Sequence, residues 1–181
     1  MATIDEDLML RQISYIEKDN FSDPWSLESL WGAMVRDYNL IYFALGHKRK
    51  YSIYSFRGGE EILVECLRDI CYKDAEEKPK EKLLMGYIIA TDIAGETELL
   101  RIAVADKFKK AGIGRQLMDA YIDDLKDHCD KYFLEVRESN EVARGIYEKV
   151  GYKSISVRKN YYKNPKEDGV IYSMDITGDT T

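Results

Sequence analysis

Two glycines and a cluster of cations crowd the point where an apolar stretch gives way to a helical one: Arg101-Ile102-Ala103-Val104-Ala105-Asp106-Lys107-Phe108-Lys109-Lys110-Ala111-Gly112-Ile113-Gly114-Arg115. Residues of these types at this spacing can hold an anion. Glycines let backbone amides approach oxygen atoms, the unpaired N–H groups and dipole of a helix N-terminus favour negative charge, and Lys109, Lys110 and Arg115 add full positive charges. A pyrophosphate is the natural size of ligand, although a Gly-x-Gly before a helix also serves plain close packing. The loop lacks the Gly-Lys-Ser/Thr of a Walker loop and the third glycine of a dinucleotide fingerprint.

Two further residues could do proton chemistry or merely support the fold. Glu135 alternates with Arg137 on a strand-like run, where an ion pair is the simple use. Tyr147 falls in the apolar stripe of Val142, Ala143, Ile146 and Val150, where a buried structural tyrosine is ordinary. Metal chemistry is not expected. Cys66, Cys71 and Cys129 form no CxxC unit, and His47 and His128 are the two histidines available to assist them. The formal charge of -6 is uneven, with residues 1–46 carrying 3 basic and 8 acidic side chains. An acidic chain is a poor general partner for nucleic acid, since phosphate affinity needs clustered Lys and Arg; it suits a basic partner or simple solubility. No run approaches the ~20 apolar residues of a membrane span. The start Met-Ala-Thr-Ile-Asp-Glu-Asp is acidic where a secretory signal is basic, so a cytoplasmic location is expected.

The elements that must position these residues can be read from periodicity. Leu8, Met9, Ile13 and Ile16 predict a helix over 5–20. After Phe21-Ser22-Asp23-Pro24-Trp25, Ser26 caps a second helix with Leu27, Leu30, Trp31, Met34 and Val35 on one face. Strands are expected over 39–46 and 51–56, then a helix bearing Ile62, Leu63, Cys66, Leu67 and Ile70, then a charged, mobile loop over 73–82. Residues 83–91 and 97–104 form a hairpin about Gly95. A helix over 112–129, a strand over 131–136, a helix over 140–150 ended by Gly151, and strands over 152–157 and 170–176 complete the order. The pattern predicts one α/β (α+β) domain over 1–181, with a mixed, mostly antiparallel central sheet flanked by helices and an insertion at 47–82.

Three stretches in this order carry a family resemblance: the glycine loop; Leu134-Glu135-Val136-Arg137-Glu138-Ser139-Asn140 with Tyr147 in the following helix; and Tyr161-Tyr162 with the later Glu167-Asp168. The chain resembles the Gcn5-related N-acetyltransferases (GNAT). Within them it is similar to the RimI-type enzymes, which acetylate the N-terminal alanine of a ribosomal protein. Ile16-Glu17 and Phe21-x-x-Pro24-Trp25-Ser26 fit that subfamily too. The resemblance implies acetyl-CoA as co-substrate, with Lys109, Lys110, Ala111, Gly112, Ile113, Gly114 and Arg115 at its pyrophosphate. Ala111 departs from the usual Arg or Lys. Ile102, Ala103 and Val104 would offer backbone to the pantetheine and Asn140 a further contact. It implies Glu135 as general base, Tyr147 as general acid, and Trp25, Tyr161 and Tyr162 in the acceptor groove. An α-amine of pKa about 8 must lose a proton before it attacks, and a departing thiolate must gain one. The expected partner is a protein N-terminus, best a basic ribosomal one. A small amine or a lysine side chain as acceptor, or a module that only binds acetyl-CoA, are the alternatives.

Overall fold

The computed structural model describes residues 6–47, 50–57, 60–69 and 83–176. Helix α1 (Glu6–Asn20) and helix α2 (Leu27–Met34) lead into β1 (Asn39–His47), β2 (Lys50–Arg57), β3 (Glu60–Asp69), β4 (Leu83–Ile93) and β5 (Glu96–Val104). Helix α3 (Ile113–Leu125), β6 (Lys131–Arg137), α4 (Glu141–Val150), β7 (Lys153–Lys163) and β8 (Lys166–Asp175) follow. Eight strands form one sheet in the order β3-β2-β1-β4-β5-β6-β8-β7. Each pairing is antiparallel except β5 with β6, which α3 joins as a parallel crossover.

Local chemistry explains most of these elements. Ser26 accepts the backbone N–H of Ser29 at 3.1 Å and so caps α2. Ala94 and Gly95 both have positive φ, the geometry of a two-residue hairpin turn between the paired Ile93 and Glu96. Strand β4 lies mid-sheet and is buried on both faces from Leu84 to Ala90. One face of the sheet packs Tyr42, Met85 and Leu134 under Leu117 and Tyr121 of α3 and Tyr147 of α4. The other packs Ile41, Phe43, Tyr87 and Ile89 under Met9 and Ile13 of α1 and Leu30 and Met34 of α2.

Three sequence expectations need correction. The helix expected around Ile62 to Ile70 is strand β3, antiparallel to β2, with Arg57 paired to Glu60. The dipeptide Gly58-Gly59 stands between those paired residues, and it is a hairpin sequence; β-branched Ile62 and Val64 suit a pleated surface better than a helix. The apolar face of α2 is also rotated: Leu30, Ala33 and Met34 are buried, whereas Leu27, Trp31 and Val35 are exposed. Strand β7 continues through Tyr161 and Tyr162 to Lys163 instead of stopping near Val157. The loop expected at 73–82 lies outside the described residues.

Candidate active site

The parallel ladder runs from Glu96–Lys131 to Leu99–Leu134 and stops there. Beyond it the two strands lose their mutual hydrogen bonds, and Glu135 is the first residue of β6 past the last pair. Ile102, Ala103 and Val104 pair only with β4, through Ile88, Tyr87 and Gly86, which leaves their other backbone edge without a ladder partner. The glycine loop follows directly. Gly112 takes φ +84° as the N-cap of α3, and Lys110 φ +63°. A Cβ at Gly112 would meet only Gln116 Nε2, at 3.9 Å, so the backbone conformation and not crowding calls for glycine. Lys109 pairs with Asp106 at 2.5 Å, and Arg115 with Asp119 at 2.8 Å. Lys110 has no ion-pair partner among the described residues and is exposed. Ile113 is buried in the core, and the partly buried Ala111 packs against that core. Asn140 caps α4, its Oδ1 accepting the Ala143 N–H at 3.2 Å.

Glu135 does not pair with Arg137. Its Oε2 accepts from Arg158 Nη1 of β7 at 2.9 Å, while Arg137 pairs with Glu167 at 3.3 Å. Side chains on one strand face two residues apart point the same way, and each finds a partner across the sheet. The second oxygen of Glu135, Oε1, is buried and has no hydrogen-bond partner among the described residues. It lies against Gly169, where a Cβ would come within 2.5 Å of it and 3.3 Å of the Tyr161 ring. Glycine inside a strand here marks a close approach that sequence reading missed, because Asp168-Gly169 looks like a turn. Arg158 also lies over the Tyr161 ring at 4.5 Å, and its bond to Glu135 holds the guanidinium more firmly charged.

Tyr147 is buried beside Tyr152 and Tyr172, with ring centroids 6.1 and 6.3 Å away. Burial drives its phenol well above the usual value, so the hydroxyl stays protonated. The Tyr162 phenol acts electrostatically on Tyr147 and is itself pushed up to about 12, by burial first and then by the Glu135 charge. Tyr162 thus interacts electrostatically with both the sequence-predicted base and the sequence-predicted acid.

Two arginines tie the aromatic residues in place. Arg101 of β5 stacks on Phe21 at 4.4 Å and Trp25 at 5.0 Å and donates to the Asp23 carbonyl at 3.0 Å. Below them Glu17 is fully buried; it accepts the Tyr87 hydroxyl and, at 2.8 Å, the Trp25 backbone N–H. Arg137 lies over Tyr162 at 4.1 Å and donates to Ser22 Oγ at 2.9 Å and the Asn164 carbonyl at 2.8 Å. The loop carrying Trp25 and the hairpin carrying Tyr161 and Tyr162 are therefore joined around the ends of β5 and β6. Glu17, Tyr87, Arg101, Arg137, Arg158 and Gly169 complete the site.

Where the parallel pairing of β5 and β6 ends, a glycine-cation loop and a carboxylate come together. The chain belongs to the acetyltransferase (GNAT) family, whose model matches residues 31–152. It is 36% identical over 92 residues to the [ribosomal protein bS18]-alanine N-acetyltransferase of Haemophilus influenzae, across 49% of this chain and 62% of that one. The enzyme of the same name from Escherichia coli is 33% identical over 97 residues, across 52% and 66%. Both matches span less than two thirds of the relative. The crystal structure of the ribosomal-protein-S18-alanine N-acetyltransferase from Escherichia coli superposes with TM-score 0.64 at 22% identity, covering 100% of this chain and 96% of that one. That likeness concerns the fold. Among the described residues no group of His, Cys, Asp and Glu could hold a metal, and no helix is long and apolar enough to cross a membrane. Cys129 is buried, its thiol pushed up to about 12 mainly by desolvation, which suits packing and not nucleophilic work.

Proposed function

We propose that the chain transfers an acetyl group from acetyl-CoA to the N-terminal α-amine of a protein, best an alanine N-terminus of a basic ribosomal protein, in the cytoplasm. The observation that carries this reading is Glu135 Oε1, a buried acceptor atom without a donor among the described residues, just past the last β5–β6 pair. A buried unpaired carboxylate oxygen is costly unless a ligand supplies the missing hydrogen, and an ammonium supplies it. The residues present suit acetyl-CoA: the open edge of Ile102, Ala103 and Val104 for the pantetheine amides, and the loop from Lys109 to Arg115 for the pyrophosphate. Acetyl-CoA would supply the acetyl thioester. Glu135 takes the proton that keeps the acceptor amine from attacking, and Tyr147 keeps a proton available for the departing sulfur. Asn140 fixes the start of α4 and with it the height of Tyr147. Trp25, Tyr161 and Tyr162 line the path of the acceptor peptide.

The amine class is tested by thiol release with acetyl-CoA over a panel of acceptors. Peptides beginning with alanine, the same peptides with blocked N-termini but free lysines, and small polyamines form its three arms. Turnover confined to free N-termini is expected. Turnover on lysines or polyamines alone would move the chain to another acceptor class, and none at all would make it a module that only binds acetyl-CoA. Exposed Asp23 and Glu28, in and just after the loop that carries Trp25, suit a basic partner. A peptide KM that does not rise with salt would contradict that attraction.

A further inference from the structure

The carboxylate assigned to the acceptor amine already has a cation on it. Arg158 reaches Glu135 from β7, the edge strand, with 54% of its side chain exposed against 14% for Glu135. Its guanidinium also covers the Tyr161 ring at 4.5 Å. A carboxylate oxygen and an aromatic face at right distances are what would receive an ammonium group. The two groups meet over Gly169, where no side chain separates them. Half-exposed on an edge strand, the Arg158 side chain turns out to water once it leaves Glu135.

We propose that Arg158 stands in for the acceptor's ammonium in the free enzyme, holding Glu135 and Tyr161 in their receptive arrangement, and is exchanged for that ammonium when the acceptor binds. The inference rests on the N-terminal acetylation reading. It makes acceptor binding a cation exchange: the incoming ammonium takes the open Oε1 of Glu135, and Arg158, a like charge on the same carboxylate, gives up Oε2. Arg158 is thus a positioning residue that also competes with the acceptor. With the Arg158 half of the pair open to water, it opposes binding only modestly, by a factor of about two to five.

The test measures affinity for a free-amine peptide and for the same peptide N-acetylated, in the wild type, Arg158→Gln and Arg158→Lys, each saturated with CoA. Arg158→Gln is expected to tighten the free-amine peptide about two- to five-fold and leave the acetylated peptide unchanged, while Arg158→Lys stays near wild type. A merely structural role would shift both peptides together. Equal shifts, no shift, or weaker binding of the free-amine peptide by Arg158→Gln would each overturn the inference. The underlying reading fails separately, if the wild type acetylates no peptide N-terminus, and the inference falls with it.

Discussion

Replacing Gly169 by alanine isolates the placement of Glu135 from its presence. The added methyl would stand 2.5 Å from Oε1, 3.1 Å from the carboxyl carbon and 3.3 Å from Tyr161 Cδ1. Ordinary contact needs about 3.5 Å, so the carboxylate must retreat by roughly 1 Å. The atom that must move ends a flexible side chain, so the cost to folding falls at or below the ~1 kcal/mol foot of the overpacking range, a melting shift within about 4 °C. A displacement of 1 Å at a reacting group costs about 10² in rate. Gly169→Ala should therefore melt close to wild type, bind acetyl-CoA normally and lose about 10² in kcat by thiol release. A folded variant with wild-type kcat would refute the reasoning, because it would separate the position of Glu135 from turnover.

Other expectations follow from the same contacts. Tyr147→Phe keeps the ring in the core and removes the proton donor, so kcat should drop by about 10² with little change in melting. Since burial raises the Tyr147 phenol, its protonated form persists as pH climbs past 10; the wild-type pH–rate profile should lack a decline near pH 10 from this group. Arg137→Ala removes the guanidinium that bridges Ser22 Oγ and the Asn164 carbonyl and leaves only their direct bond at 2.8 Å; a peptide KM raised about ten-fold with an unchanged acetyl-CoA KM is expected from steady-state kinetics. Glu17→Ala strands the Tyr87 hydroxyl and the Trp25 N–H; calorimetry should record a loss of about 2–4 kcal/mol, or about 5–15 °C in melting temperature.

The parts of the fold that were legible in the sequence were those where local and tertiary preferences agree. Helix α3 repeats Ile113, Leu117, Tyr121 and Leu125 every four residues, and all four are buried. Strand β6 alternates Tyr132, Leu134 and Val136 inward against Phe133, Glu135 and Arg137. Strand β3 was illegible because its apolar run fits either period, and pairing with β2 decided it. On α2, Leu27 and Trp31 share a helical face with Leu30 closely enough that only the direction of approach to the sheet could exclude them.

For the candidate site, motif positions singled out residues but not their contacts. Glu135 stands out in the sequence; its partner Arg158, 23 residues away on an edge strand, does not, because cross-strand register links them. Glu17 sat visibly beside Ile16, yet its burial depends on Tyr87, 70 residues on. Gly169 carries no functional group, and its role exists only in the space it leaves for Glu135 and Tyr161.

If Glu135 removes the acceptor's proton, Glu135→Gln, whose amide keeps the size and loses the base, disables the step. With acetyl-CoA affinity measured on the same preparation, unchanged co-substrate binding and a kcat on an alanine-starting peptide lowered by about 10² or more are expected. Turnover by Glu135→Gln at the wild-type rate would contradict that role.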